Sequence, residues 1–276
     1  MSSDLPPDSP DEEPAPKKAQ KQILESEIQE GLHALDRPTG NLFLSGLSAG
    51  LEVGFSVLLM AVMTSVCKGK LPEPVVAILV ANMYSIGFIF VVLGRSELFT
   101  EQTTLAVLPV LSRETSVGSL LRLWTVVFVS NVIGAAIFAK GIAAIAPALG
   151  AAHPEDFTAI AMRLADHSAG VIFFSALLAG WLMGLLSWLV AAGRDTISQI
   201  VFVWLITTCI GFVGLHHVIL GCVEVFAGAF SGPGIGGAAI ARFMVMATLG
   251  NIVGGGIFVA LLKFGQADPD DASKED

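Results

Sequence analysis

A chain of 276 residues that is 54% hydrophobic and only 14% charged, with a mean hydropathy of +0.74, is not a water-soluble globule; it reads as an all-α polytopic membrane protein. The net charge of -9 comes largely from the two ends, where Asp4, Asp8, Asp11, Glu12 and Glu13 open the chain and Asp268, Asp270, Asp271, Glu275 and Asp276 close it. Such a balance offers no basic footprint for a nucleic acid, and the acidic, Pro-rich start lacks the positive region and short apolar core of a cleavable signal.

In chain order, residues 1–22 read as a disordered acidic tail. Over 23–36, Leu24, Ile28, Leu32 and Leu35 recur at helical spacing between charged residues, which predicts an amphipathic helix at the membrane interface or between subunits. Six crossings follow, over 41–66, 75–111, 121–146, 169–192, 197–230 and 241–263. The second is too long for one crossing of roughly 20 residues and too short for two with a turn. It is interrupted by Gly94-Arg95-Ser96-Glu97-Leu98-Phe99-Thr100-Glu101, and the fifth by Gly211-Phe212-Val213-Gly214-Leu215-His216-His217. Each reads as two half-helices, and irregular backbone at membrane depth is tolerated only in protein or beside a wet cavity, so the breaks mark a permeation path.

The chain also echoes itself. Ser45-x-x-x-Ala49-Gly50-x-x-x-Gly54 returns as Ser175-x-x-x-Ala179-Gly180-x-x-x-Gly184, and Asn131-Val132-Ile133-Gly134 returns as Asn251-Ile252-Val253-Gly254. This predicts two units of three spans, 37–146 and 169–264, joined by an exposed periplasmic linker with a short helix at 147–168 and followed by a disordered tail at 265–276. Three crossings per unit force the second to enter from the opposite side, giving an inverted 3+3 repeat. The small residues of the echoes serve close helix packing. Lys17, Lys18, Lys21, Arg37, Arg113, Arg122, Arg194, Lys263 and Lys274 fall on the side of the termini, against Lys68, Lys70, Lys140, Arg163 and Arg242 opposite, which places both termini in the cytoplasm. Cys67, Cys209 and Cys222, odd in number and in or beside apolar segments, read as buried thiols.

On three segments the sequence resembles the formate/nitrite transporter family, as a divergent member: Ser96-Glu97-Leu98-Phe99-Thr100 in the second span, Asn131-x-x-Gly134-Ala135 in the third, and Thr248-Leu249-Gly250-Asn251-Ile252-Val253-Gly254-Gly255 in the sixth. The resemblance runs from about Ile23 to Phe264 and implies an aquaporin-like inverted repeat, a homopentamer in the bacterial inner membrane, and a pore in each protomer for small monovalent anions or their protonated acids. It assigns His217 as the central histidine, Leu98 and Phe99 to a constriction, and Thr100 to a hydroxyl that orients the histidine. The chain departs from the family pattern in having His216 where many members have Glu, Gly221 where they have Asn, and Glu101-Gln102 after the loop threonine.

Read as residues alone, His217 either offers a proton or hydrogen bond to a solute or is a neutral ring on a carbonyl freed by the kink. His216 reads as a supporting group turned away from it. Thr100, Ser96 and Glu97 serve either selectivity or capping of the second half-helix. Arg95 is expected to pair with a glutamate, or else to face the vestibule. Glu52, Glu101 and Glu224 are acidic groups that, facing the lumen, would favour cations or protonated species. No cofactor or metal site is expected, since His217 and Glu224 are too far apart for one ion. No Gly-x-Ser-x-Gly elbow, His-Glu-x-x-His or paired intramembrane aspartates suggest an enzyme. A pore for a neutral or cationic solute, or a non-conducting scaffold or sensor, remain the alternatives.

Overall fold

A segment inside a bilayer has to satisfy its backbone hydrogen bonds within itself, and every regular element among the described residues is helical. The structure, a computed structural model, describes residues 17–266; the tail expectations for residues 1–16 and 267–276 fall outside that range. The chain forms α1 (Gln20–Asp36), α2 (Thr39–Glu52), α3 (Gly54–Cys67), α4 (Glu73–Gly94), α5 (Phe99–Leu105), α6 (Leu108–Leu111), α7 (Val117–Ala148), α8 (Pro154–Ala165), α9 (Ala169–Ala192), α10 (Thr196–Val213), α11 (Val218–Ser231) and α12 (Gly237–Ile252). After α12 the last span continues as a π-helical stretch, Val253–Leu261, and ends in α13 (Leu262–Gln266). Six of the described helical segments are long and apolar enough to cross a membrane: Thr39–Cys67, Glu73–Gly94, Val117–Ala148, Ala169–Ala192, Thr196–Val213 and Gly237–Gln266.

The second and fifth spans are interrupted where the sequence placed the breaks, at residues 95–98 between α4 and α5 and at residues 214–217 between α10 and α11. Each break opens on a left-handed residue, Arg95 at φ 56° and Gly214 at φ 76°. The two units are built alike, with α2 packed along α7 in one and α9 along α12 in the other. Contact is close enough that a Cβ on Gly50 would lie 2.2 Å from the Asn131 carbonyl oxygen, and one on Gly180 would lie 2.4 Å from that of Asn251. Only glycine allows the backbones to meet at those points.

Three expectations need correction, and one further feature of the spans is new. α1 begins at Gln20, inside the stretch expected to be disordered, and its apolar face is spent within the protomer: Ile23, Leu24 and Ile28 pack with Leu108, Trp188 and Ala260. The linker's short helix, expected to be exposed, is α8, and its Phe157, Ile160, Ala161 and Leu164 are buried, mostly against α11. Cys209 is exposed rather than buried, while Cys67 and Cys222 are buried. The sixth span is not a uniform α-helix, because the run Gly254-Gly255-Gly256 widens into π-helix as the Gly255 carbonyl accepts a bond from Thr104 Oγ1 at 3.1 Å.

Candidate functional site

Ending a helix inside a membrane strands backbone N–H and C=O groups, and the same set of side chains resolves this at both breaks. At the first, Asn131 on α7 accepts a bond from the Phe99 N–H at 2.9 Å and donates to the carbonyls of Gly46 at 2.7 Å and Glu97 at 2.9 Å. At the second, Asn251 on α12 accepts from the Val218 N–H at 2.9 Å and donates to the carbonyls of Ala176 at 2.7 Å and His216 at 3.1 Å. The serines of the echo complete the match: Ser45 Oγ accepts from the Glu97 N–H at 3.1 Å and Ser175 Oγ from the His216 N–H at 3.2 Å. Glu97 therefore corresponds to His216, and Leu98 to His217.

This geometry corrects the capping expectation. The N-cap position of α5 is Leu98, and neither Ser96 nor Thr100 caps it; the acceptor comes from Asn131, a full span away. The clamps were the functional residues that reading by residue type missed. Their signal was already present as the repeated Asn of the third and sixth spans.

His217 is the N-cap residue of α11, and its Nδ1 accepts from the Leu220 N–H at 3.2 Å. A ring nitrogen that accepts from an amide carries no proton, so the ring proton lies on Nε2, which stands 2.7 Å from Thr100 Oγ1 and donates to it. The partner of the ring is thus a hydroxyl rather than a freed carbonyl. Both residues are buried, with Phe88 edge-on to the imidazole at 4.9 Å between ring centroids. The Thr100 hydroxyl, having accepted from the imidazole, keeps its own proton for a further acceptor.

His216 turns away, its Nδ1 2.8 Å from Ser175 Oγ and its Nε2 3.2 Å from the Leu164 carbonyl oxygen, as a supporting group would. Leu98 and Phe99 are buried, and the Phe99 ring packs on α7, 5.0 Å from Phe128 and 6.2 Å from Trp124. Trp124 Nε1 also donates to the Gln102 carbonyl at 2.9 Å, which ties α5 to α7.

The charged candidates fall in different surroundings. Among the described residues Arg95 forms no ion pair with a glutamate; Glu97 is held instead by Arg37, at 2.7 Å, and by the Gln102 amide. A left-handed backbone at position 95 aims the Arg95 side chain into two adjoining cavities of about 390 and 290 Å³ beneath α1, lined also by Glu30 and Glu101. Glu101 sits in the first turn of α5. Glu52 accepts from Ser48 Oγ at 2.7 Å through one carboxylate oxygen, while the other is sealed without a partner. Glu224 lies buried in the middle of α11. On α1, burial pushes Glu27 up to about 8 against the opposing hydrogen bond from Ser187 Oγ at 3.1 Å, and burial likewise raises Glu30. Among the described residues no group of three His, Cys, Asp or Glu side chains could hold a metal ion.

Comparison with known proteins places this geometry. Residues 21–265 match the family model described as formate/nitrite transporter. The chain is 32% identical over 267 residues to the inner membrane protein YfdC of Escherichia coli (strain K12), covering 96% of this chain and 84% of that one. Its fold is similar to that of an FNT family ion channel, with a TM-score of 0.78 at 20% identity over 90% of this chain and 99% of the other. It is similar also to a pentameric formate channel with formate bound, with a TM-score of 0.69 at 24% identity over 83% and 97% of the two chains. With the family model spanning both clamped breaks, this multi-pass membrane protein belongs to the formate/nitrite transporter family.

Proposed function

We propose that each protomer conducts a small monovalent anion of the formate or nitrite kind, or its protonated acid, along a path that passes between the two breaks. The observation that carries this reading is the 2.7 Å contact of Thr100 Oγ1 with His217 Nε2, which joins one broken span to the other at the point where both half-helices begin. A bare anion is strongly disfavoured in an apolar wall, and a buried donor offsets part of that penalty. The relay runs in one sense. The Leu220 amide donates to Nδ1, Nε2–H donates to Thr100, and the Thr100 hydroxyl donates to the solute, so the ring polarises the hydroxyl that meets it. Leu98, at the position equivalent to His217, serves as the apolar constriction next to this donor, and Phe99 holds it against α7.

The homologous pentameric channel supports a homopentamer in which the bilayer surrounds the assembly, and the inner-membrane relative supports the same location here. The excess of Lys and Arg on the α1 side supports cytoplasmic termini. Family membership supports transport rather than catalysis. One observation favours a second reading, passage of a neutral or cationic solute: Glu101 and Glu30 share the cavities beneath α1, with Arg95 as the facing charge.

The test is flux of labelled formate and nitrite into liposomes holding the full chain. Thr100→Val keeps the volume and removes the hydroxyl, and should lower flux at least about tenfold, whereas Thr100→Ser should retain most of it. Equal flux through the parent and Thr100→Val would remove the hydroxyl from the path. Flux of methylammonium without flux of either anion would establish the second reading.

A further inference from the structure

We propose that Glu224 is the proton-exchange group of the transport path, converting a weak-acid anion to its neutral acid on the α8 side of His217. This rests on the transport reading above. Glu224 follows His217 by seven residues on α11, about two helical turns, which puts both on one face roughly 10 Å apart along the axis. A line of aromatic side chains connects them: Phe88 meets the His217 ring at 4.9 Å, and Tyr84 stacks on Phe88 at 5.5 Å. The Glu224 carboxylate in turn acts electrostatically on the Tyr84 hydroxyl.

What sets Glu224 apart is the lack of a protein partner. The residue is only 5% exposed and Tyr84 only 4%, yet neither the carboxylate nor the phenol hydroxyl makes a hydrogen bond or ion pair within the described chain. Neither is sealed, since the sealed and unpartnered polar atoms of the described residues belong to Glu52, Gln102, Thr208 and Ser231. A buried carboxyl group with a structural task is normally bonded on both oxygens. Glu224 and Tyr84 instead keep polar ends that are unpartnered within the described chain and not sealed from a water-sized group.

The charged group acting on Glu224 is Arg163 from α8, beyond ion-pair distance, while Glu224 itself acts on the neutral Tyr84 phenol of α4. The other charges nearby on elements packed against α11 are occupied. Lys140 of α7 lies over the Phe230 ring, Arg242 of α12 donates to the Ala165 carbonyl, and Asp156 of α8 pairs with Lys68 at the end of α3. Glu101 of α5 faces the cavities beneath α1. The exchange balances simply. The O–H bond of the Glu224 carboxyl breaks as the anion takes the proton, leaving HA and a carboxylate, and a hydronium ion arriving from the α8 side restores the carboxyl and leaves water. HA then crosses the apolar constriction uncharged, and the ionised carboxylate repels any free anion that follows.

The experiment uses liposomes containing the full chain with a trapped pH dye, and measures formate entry and proton entry together, with and without an imposed membrane potential. The parent should carry one proton with each formate and be indifferent to the potential. Glu224→Gln should lose proton entry at least tenfold, with any remaining formate flux following the potential, and Glu224→Asp should restore coupling. Tyr84→Phe, which keeps the ring stack, should shift the pH at which flux is half-maximal. Glu224→Gln with parental flux, coupling and pH profile overturns the inference alone, as does a Glu224→Gln chain that fails to assemble together with Glu224→Asp and Tyr84→Phe profiles that match the parent. A parent that moves neither formate nor nitrite overturns the transport reading and this inference with it.

Discussion

Replacing Asn251 asks how much of the second break depends on one side chain. Asn251 is fully buried and makes three bonds: it accepts from Val218 N and donates to the carbonyls of Ala176 and His216. Asn251→Ala strands those three backbone groups, each worth about 1–3 kcal/mol when left unpaired in the interior. Because the neighbours relax together rather than independently, the summed loss should be about 3–5 kcal/mol, equivalent to a melting temperature lower by roughly 10 °C for a chain of this size. Asn251→Asp sharpens the argument by holding the volume constant. It keeps the acceptor for Val218 but loses both donors and turns a charged oxygen toward two carbonyls, so it should be at least as damaging. The assays are thermal unfolding in detergent and hydrogen exchange at the Val218 amide, which should become rapid in both variants. If Asn251→Ala melts within about 2 °C of the parent and the Val218 amide stays protected, the clamp is not what holds the break.

Burial raises Glu27 from its ordinary 4.5 to about 8, so the docked α1 holds a proton that a released α1 gives up. Docking should therefore be strongest below about pH 4.5 and weaken as pH rises toward 8, and Glu27→Gln should flatten that dependence; protease cutting of α1 at pH 5 and pH 9 reads it, and identical cutting of the parent at both would refute it. Gly180→Ala brings a methyl group 2.4 Å from the Asn251 carbonyl oxygen and 2.7 Å from its Cα, both backbone atoms with no rotamer to give. It should lower stability by about 1–3 kcal/mol, while Gly40→Ala, with nothing within 4 Å, should be neutral in the same melting assay. Arg95 adopts φ 56° at a position where the equivalent residue is Gly214, so Arg95→Gly should raise stability by about 1 kcal/mol, and a fall in melting temperature would show that the side chain contributes more than its backbone strain.

The spans and both breaks were legible because each leaves a one-dimensional trace: apolar run length for the crossings, and a polar or glycine-rich interruption for the breaks. The repeat was legible for the same reason, since Asn131 and Asn251 lie in matching local sequence. The task of those asparagines was not. It depends on bonds such as that from Asn131 to the Gly46 carbonyl, which joins residues 85 positions apart and follows from packing rather than spacing. Which of its two readings Arg95 follows was not legible for a related reason. It is six residues from Glu101, but the left-handed turn at Arg95 swings it beneath α1, and Arg37 reaches Glu97 from 60 positions away. The exposure of α8 was misjudged because its amphipathic pattern fits either a membrane surface or a protein surface, and only contact with α11 distinguishes them.

The two breaks share a backbone solution and differ in what occupies it, and this difference bears on what a solute would meet from each side. At the first break the residue clamped by serine and asparagine is Glu97, whose charge is satisfied by Arg37 and Gln102 and which borders the cavities beneath α1. At the second break the equivalent residue is His216, bonded to Ser175 and the Leu164 carbonyl. One residue further on, Leu98 answers to His217, so an apolar side chain stands on one side of the repeat where a hydrogen-bond donor stands on the other. A symmetric backbone with symmetric side chains would treat a solute alike from either face. On the proposed path a solute from the α1 side would meet ionic groups, then Leu98, then the Thr100 hydroxyl, whereas one from the α8 side would pass Glu224 and Tyr84 before the same hydroxyl. Net direction is set by the gradients of solute and proton, so this asymmetry can act only on the rates of entry from the two sides and on where along the proposed path a proton is exchanged. The unpartnered carboxylate on the α8 side is the group positioned for that exchange.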